Sequence, residues 1–284
     1  MSYATIPLRD RFSGCLLGGA VGDALGAPVE FLRWPQISAR FGEGGIRDYL
    51  PAYGRKGAIT DDTQMTLFTV EGVLRAHQRL REGGAGNPFT VIRRAYERWL
   101  ATQGVEPPET SALEPDSLGW VYPLHPLHSR RAPGNTCLSA LRTPWSESVD
   151  GIAPNDSKGC GGVMRVAPIG LVRPDAFEFA SRAAAITHGH PLGYESAGAL
   201  ALIVAKLLTA ESMEEAVRLA TSEIEGEIRP WLQRAIELAR SDKPAHAAIE
   251  ELGEGWVAEE ALAIGVFCAL RGKDFEEAVA MAVN

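Results

Sequence analysis

The sequence lacks dense runs of Lys and Arg, and its acidic residues outnumber its basic ones. Its 284 residues carry 36 Asp and Glu against 28 Lys and Arg, which gives a formal net charge of −8. A protein that binds DNA or RNA through the phosphates needs a basic surface. We therefore expect no nucleic-acid partner, whereas a small charged ligand held in a local site remains compatible with this balance.

Long hydrophobic runs and paired cysteines are also missing. The best apolar candidate, residues 197–210, is shorter than the roughly 18 residues that span a bilayer and contains Lys206. The short glycine-rich segment near the N-terminus is flanked by Asp10 and Asp23 and holds more glycine than leucine, whereas the apolar region of a signal peptide is more uniformly apolar. The four cysteines form no C-x-x-C pair, which argues against a zinc knuckle or a redox dithiol. We expect a cytoplasmic monomer without a membrane partner, in which the cysteines are reduced and buried.

Alternating β patterns are almost absent, and apolar residues recur at helical spacing instead. This spacing predicts helices over 63–80, 89–100, 175–187, 193–210, 213–222, 228–240, 256–271 and 275–283. Residues 104–135 contain six of the 18 prolines and have little periodicity, which predicts a long irregular segment of the kind that often carries function. We predict one all-α domain over residues 1–284, with its helices around a shared core.

Glycines at positions 14, 18, 22 and 26 share one side of a predicted first helix. Each costs about 1 kcal/mol relative to alanine, so the stripe needs a reason. Close packing of a neighbouring backbone is one reason, and room for a ligand is the other. Glu30 follows this helix, either as an ordinary surface residue or as a mobile acid that closes over a site.

The segment Thr60-Asp61-Asp62-Thr63 opens the next long helix. A threonine N-cap and two acids in the first turn suit the positive end of a helix, so capping explains part of the pattern. Two consecutive aspartates exceed what a cap requires. Carboxylates beside a hydroxyl also suit a hard cation such as Mg²⁺.

Three further segments combine turn signals with polar side chains. The loop Ser157–Gly162 could present backbone N–H groups to an anion, with Arg165 holding charge, or be a plain turn before a buried helix. His188 is either a ligand contact or a structural turn residue. Asn135 and Thr136 either contact a ligand or cap the helix that follows.

Together these segments resemble the ADP-ribosylglycohydrolase family. The residues that carry the resemblance are Gly14–Gly26, Pro28–Glu30, Thr60–Thr63, Ser157–Arg165, Thr187-His188 and Gly255–Glu259. The resemblance implies an orthogonal all-α helical bundle, two Mg²⁺ ions and hydrolysis of the bond between ADP-ribose and a modified side chain. An ADP-ribosylated protein or an ADP-ribose-containing small molecule is the expected partner.

The resemblance also implies roles for individual residues. Glu30, Asp61 and Asp62 would be catalytic, and Thr60, Asp61 and Asp62 would bind metal. The ADP-ribose cleft would be lined by Gly134, Asn135, Thr136, Ser157, Gly159, Cys160, Gly161, Gly162 and His188. Trp256 and Glu259 would pack beside the site.

The second metal motif of the family, a Gly-Asp-Ser-Asp-Ser/Thr-like stretch, is expected shortly after a helix like 275–283. The sequence ends at Asn284 without it. Two interpretations stay open at this point, a chain that ends before the motif and a degenerate member. The function expected is removal of ADP-ribose from arginine, and the alternative is a non-catalytic ADP-ribose-binding or immunity-type protein that blocks an ADP-ribosyltransferase.

Overall fold

The computed structural model describes residues 6–84, 86–108, 118–144 and 151–284. Its regular structure is almost entirely helical. The helices are α1 (Leu8–Gly26), α2 (Trp34–Phe41), α3 (Asp61–Arg81), α4 (Pro88–Thr102), α5 (Asn135–Arg142), α6 (Ala167–Val172), α7 (Ala176–Ala185), α8 (Pro191–Leu207), α9 (Met213–Glu223), α10 (Arg229–Arg240), α11 (Ala245–Leu252), α12 (Ala258–Arg271) and α13 (Phe275–Val283). Short 3-10 helices cover His125–Leu127 and Cys160–Arg165, and a hairpin pairs β1 (Pro51–Ala52) with β2 (Arg55–Lys56). The all-α prediction is confirmed.

The main core surrounds α8, which packs against α6, α7, α9 and α12. This helix is rich in alanine, and Ala197, Ala199 and Ala201 are fully buried. Small side chains allow close approach: a Cβ placed on Gly170 of α6 would lie 2.2 Å from the Ala201 carbonyl oxygen. A second part of the same core joins α3 to α4, where Phe68, Tyr96 and Trp99 are completely buried.

A smaller hydrophobic cluster lies where α1 meets α2. It contains Leu25, Val29, Ile37 and Ile46, and side chains of α13 pack against it. The α1 glycines allow α13 to approach: a Cβ on Gly26 would lie 3.4 Å from Val283 of this cluster, and a Cβ on Gly18 would lie 3.3 Å from the Phe275 ring further along α13. Close packing, one of the two reasons considered for the stripe, therefore applies to its contact with α13.

Most of the helices expected from periodicity are present, with ends shifted by a few residues. Helices α2 and α11 and the small hairpin were not predicted. In the segment 104–135, the described residues 104–108 and 118–134 are irregular apart from one 3-10 turn, whereas residues 109–117 lie outside the described chain. Two of the four free cysteines, Cys137 and Cys268, are buried and the other two are half-buried. Across the described chain, no helix is long and apolar enough to cross a bilayer.

Candidate active site

Thr60 is the N-cap of α3, and Asp23 of α1 holds it in place. The Thr60 hydroxyl accepts a hydrogen bond from the Asp62 N–H at 3.4 Å. The Asp23 carboxylate accepts from the Thr60 N–H at 2.9 Å and hydroxyl at 2.7 Å, and from the Thr63 N–H at 3.2 Å and hydroxyl at 2.5 Å. The capping role expected of Thr60 is thus present. Asp23 was not predicted as a site residue, because its contact joins two segments 37 positions apart.

Asp61 and Asp62 differ in how their carboxylates are used. Asp61 is 4% exposed, and its Oδ2 accepts from the Gly134 N–H at 3.1 Å. This bond fixes the start of α5 against the start of α3. The Asp62 side chain is half-buried and accepts no hydrogen bond from the described residues. Its lone pairs are therefore available to a ligand.

Glu30 lies in the turn between α1 and α2. The turn is anchored by Val29, which is 3% exposed in the smaller cluster. The Oε2 atom of Glu30 is buried and has no hydrogen-bond partner. An orphaned carboxylate oxygen is costly unless a ligand, an ion or a proton satisfies it.

The carboxylates raise one another's pKa values. Burial, followed by the charges of Asp62 and Asp23, raises the pKa of Glu30 to about 7. Burial, followed by the charges of Glu30 and Asp23, raises the pKa of Asp61 to about 7 against its Gly134 hydrogen bond. The pKa of Asp62 is raised by burial and then by its neighbour Asp61. Together these residues form an acidic cluster: Asp23, Glu30, Asp61 and Asp62.

The β1–β2 hairpin approaches the acidic cluster from another side. Burial, then the charges of Glu30, Asp61 and Asp23, raises the pKa of Tyr53 at the hairpin turn. Tyr53 has a φ of 49° and Gly54 a φ of 80°, the conformation of a two-residue type I′ turn. A bulky residue seldom adopts positive φ, so the turn places this aromatic side chain at an energetic cost.

The loop Ser157–Gly162 lies beside the acidic cluster and is held by several elements. The Ser157 hydroxyl contacts the Thr136 hydroxyl of α5 at 3.0 Å. Asn155 accepts from the Ser157 N–H at 3.0 Å and from the Gly189 N–H at 3.1 Å, which ties the loop to the turn before α8. The charges of Asp62 and Asp61 raise the pKa of Cys160 after burial does, so the loop and the acidic cluster are neighbours.

His188 packs against this loop from the protein interior. It is 1% exposed, its Nδ1 contacts the Thr187 hydroxyl at 2.8 Å, and Cβ atoms on Gly161 and Gly162 would lie 3.1 Å and 3.5 Å from its ring. Burial, then the charge of Arg165, lowers the pKa of His188 to about 3, so its imidazole is neutral at pH 7. The structural turn role is present, and direct ligand contact stays a prediction.

Arg165 is the clearest departure from the expected site. One of the two alternatives left open by the sequence was a charge facing an anion, yet the Arg165 side chain is completely buried. It donates to the Gly161 carbonyl at 3.0 Å and the Thr187 hydroxyl at 2.7 Å, and it lies 4.2 Å from the Tyr96 ring centroid. Arg165 therefore holds the loop from the protein interior through the Gly161 carbonyl. A buried guanidinium requires such partners, because its charge is costly to bury without them.

The first residues of α5 join the two halves of the site. Gly134 binds Asp61 through its N–H, and Thr136 binds Ser157. Gly134 is the N-cap of α5, so Asn135 is not the cap considered from the sequence and is exposed. The structure thus brings together the predicted catalytic carboxylates and the predicted glycine-rich loop.

The site offers oxygen donors of the kind that Mg²⁺, the ion the resemblance implies, prefers. Among the residues that the structure describes, no group of three or more His, Cys, Asp and Glu side chains is arranged to hold a metal ion. Mg²⁺ keeps several waters, however, and is often bound through one or two carboxylates. The unengaged Asp62 carboxylate, the Asp61 Oδ1 and the Thr60 hydroxyl are hard donors on one helix start, so the chemistry fits one such ion.

Comparison with known proteins assigns the architecture to a family. A family model described as ADP-ribosylglycohydrolase matches residues 4–284. The chain belongs to the ADP-ribosylglycohydrolase family. This membership makes it a glycosidic-bond hydrolase by family, in agreement with the resemblance seen in the sequence.

Individual relatives of this ADP-ribosylglycohydrolase cover most of its length. An uncharacterized protein of Archaeoglobus fulgidus is 30% identical over 98% of this chain and 82% of its own. The ADP-ribosyl-[dinitrogen reductase] glycohydrolase of Rhodospirillum rubrum is 28% identical over 79% and 68%, and the ADP-ribosylhydrolase ARH3 of Xenopus tropicalis is 27% identical over 92% and 74%. A solved ADP-ribosylglycohydrolase-related protein complex has a TM-score of 0.62 at 28% identity, covering 97% of this chain and 81% of that chain.

Proposed function

We propose that this chain removes ADP-ribose from a modified protein side chain, with the N-glycosidic bond to arginine as the expected substrate linkage. The observation that carries the proposal is the convergence of the acidic cluster with the loop Ser157–Gly162 at the start of α5. The named bacterial and vertebrate relatives support it, since both are hydrolases of ADP-ribosyl groups by name.

Glu30 and Asp62 are suited to move the protons of this hydrolysis. Both carry carboxylate oxygens without a hydrogen-bond donor in the described chain, and a pKa of about 7 keeps Glu30 half-protonated near neutrality. One carboxylate takes a proton from the attacking water while the C–N bond to the leaving group breaks. A protonated carboxyl can return the proton to the leaving nitrogen. Asp61 is held by the Gly134 N–H, and its charge raises the pKa of Asp62.

Thr60, Asp61 and Asp62 are the residues that would hold Mg²⁺. The Thr60 hydroxyl already donates to Asp23 and accepts from the Asp62 N–H, which leaves it one lone pair. When bound, such an ion orients the ribose hydroxyls and offsets the carboxylate charge. A pair of ions, as the family resemblance implies, would need carboxylates beyond this set.

The ADP-ribose moiety would lie along the glycine-rich side of the cleft. Three of the backbone N–H groups there already donate within the protein: that of Gly134 to Asp61, that of Gly159 to the Ser157 hydroxyl and that of Cys160 to the Trp256 carbonyl. The side chains proposed to contact it are Asn135, Thr136, Ser157, Cys160 and His188, together with the backbone of Gly134, Gly159, Gly161 and Gly162.

The test is release of ADP-ribose from an ADP-ribosyl-arginine substrate, first with Mg²⁺ and then with a chelator. We expect release that depends on Mg²⁺ and that Asp61→Asn with Asp62→Asn abolishes. Asp242 is exposed and follows the C-terminal end of α10. Asp242→Asn is the matched control and should keep the parent rate. Unchanged release by the double variant would overturn the assignment of the two aspartates.

A parallel measurement distinguishes hydrolysis from binding alone. Calorimetry with ADP-ribose reports affinity whether or not turnover occurs. Tight binding without release from arginine-linked or serine-linked substrates would favour the alternative, a non-catalytic ADP-ribose-binding or immunity-type protein. The observation that favours this alternative is that the described residues contain no group of three or more His, Cys, Asp and Glu side chains arranged to hold a metal ion.

A further inference from the structure

Two large aromatic side chains stack on the surface beside the acidic cluster. Phe31 is 66% exposed and Trp256 is 50% exposed. Their ring centroids are 5.9 Å apart and the ring planes differ by 24°. The pair joins the turn that carries Glu30 to the segment before α12, which are distant in sequence.

Trp256 is fixed from its other side by the glycine-rich loop. Its carbonyl accepts from the Cys160 N–H at 3.1 Å, and the next residue, Val257, forms a β-bridge with Gly159. The Ala258 N–H donates to the Lys158 carbonyl at 2.8 Å. Backbone hydrogen bonds therefore set the position of the indole relative to the loop Ser157–Gly162.

Phe31 directly follows Glu30, so whatever holds its ring restrains the Glu30 backbone. The neighbouring contact across the same gap is the Arg33–Glu254 ion pair at 2.5 Å, whose side chains are 75% and 57% exposed. Exposed ion pairs contribute little to stability. The stacked rings are thus the stronger restraint between the two segments.

We propose that the Phe31–Trp256 stack is a latch: it holds the turn that carries Glu30 at a fixed position relative to the glycine-rich loop. Both aromatics are positioning residues, because they act on the Glu30 carboxylate through the backbone. The inference rests on the proposed function for its catalytic consequence. Its structural half, restraint of the turn by Trp256, does not depend on turnover.

The experiment compares Trp256→Leu, Phe31→Leu and the conservative Trp256→Tyr in the full chain. Phe275→Leu is the matched control, since Phe275 is also a 55% exposed aromatic but packs against Gly18 of α1. Hydrogen exchange by mass spectrometry reports the amides of residues 29–33, and steady-state assays with ADP-ribosyl-arginine report kcat and KM.

We expect Trp256→Leu and Phe31→Leu to speed exchange at 29–33 by about threefold to tenfold, the effect of losing one aromatic contact. Values of kcat should fall by a similar factor with KM nearly unchanged, and Trp256→Tyr should restore both. Unchanged exchange in Trp256→Leu, or a Tyr variant no better than the Leu variant, overturns the latch. Faster exchange in a protein without any hydrolysis would refute the proposed function and leave the latch standing.

Discussion

Asp23 organises the start of α3 with a single carboxylate. It accepts from two backbone N–H groups and two hydroxyls of Thr60 and Thr63, all at the positive end of the helix. The same charge raises the pKa of Glu30 and Asp61. Asp23 therefore connects stability to the site: it stabilises the helix that presents Asp61 and Asp62 and increases the negative charge around them.

Replacing Asp23 with Asn should destabilise the protein. The NH₂ group of the asparagine would face N–H and O–H groups of Thr60 or Thr63, which are donors themselves and so lose their acceptor. The substitution also removes the negative charge at the start of the helix. We expect the free energy of unfolding to fall by about 2–4 kcal/mol, the cost of breaking charged hydrogen bonds. Urea denaturation measures it. Asp10→Asn, at an exposed position of the same helix, should change it by less than about 0.5 kcal/mol; equal effects for both variants would contradict this role.

Glu30→Gln separates proton transfer from ligand binding. The amide keeps the size of the side chain and removes its ability to gain or lose a proton. Release of ADP-ribose should slow by about 100-fold, a usual contribution of general acid–base catalysis. Affinity for ADP-ribose, measured by calorimetry, should change by less than about threefold, because a group that only transfers a proton in the reaction contributes little to ground-state binding. A variant with parent kcat would show that Glu30 is not catalytic.

At the level of elements, the glycine-rich loop leaves no room for a side chain at Gly161. A Cβ there would lie 2.9 Å from the Cys137 sulfur and 3.1 Å from His188. Gly161→Ala should shift the loop and weaken ADP-ribose binding by about tenfold, since a displacement near 1 Å disrupts positioned donors. Cys137→Ala removes the sulfur and should recover part of that affinity in the double variant. Calorimetry on both variants checks this, and the absence of any recovery would refute the steric cause.

Two other glycines have opposite expected effects when replaced by alanine. Gly170→Ala places a Cβ 2.2 Å from the Ala201 carbonyl, so α6 and α8 must separate, whereas Gly14 in α1 has no heavy atom within 4 Å of that position. We expect Gly170→Ala to destabilise by about 2–3 kcal/mol through overpacking. Gly14→Ala should stabilise by about 0.5–1 kcal/mol through reduced backbone entropy. Thermal denaturation of both variants tests this: the melting temperature should fall for Gly170→Ala and rise for Gly14→Ala.

Periodicity predicted the long helices because their apolar faces repeat over several turns, as in α3 and α10. Helices α2 and α11 span eight residues each, too few for a clear period. The hairpin was missed because its strands have two residues and Tyr53-Gly54 lacks the Asn-Gly signal of a type I′ turn. Short elements are set by tertiary contacts, which local patterns do not contain.

The proximity of the motif residues was predictable, whereas the residues that support them were not; the roles of the motif residues stay predictions. Glu30, Asp61 and Asp62 cluster as expected, because their segments are characteristic of the family. The roles of Asp23 and Asn155 depend on side chains that reach distant backbone. The burial of Arg165 could not be read from its own segment, because arginine is rarely buried completely and the partners that compensate it include Ala183, Thr187 and Tyr96 from distant segments.

For the whole molecule, the acidic cluster makes stability depend on pH. The pKa of Asp61 is about 7 in the folded protein, against an ordinary value of 3.8 that applies when the chain is unfolded. Below the ordinary value both states are protonated, and Asp61 contributes nothing. As pH rises, the unfolded state loses its proton first, so stability falls up to pH 7 and then levels off. Glu30 acts in the same direction.

We therefore expect the metal-free protein to lose unfolding free energy between pH 5 and pH 8, on the order of 2 kcal/mol for each of these two groups. Asp61→Asn should remove much of that slope, and the difference between variant and parent isolates it from other titrating groups. Added Mg²⁺ should stabilise the parent at pH 8, where the carboxylates are ionised, and have little effect at pH 5. Urea titrations at both pH values, with chelator and with Mg²⁺, measure this. Equal stabilisation by Mg²⁺ at the two pH values, or an unchanged slope in Asp61→Asn, would show that the acidic cluster is not the origin of the pH dependence.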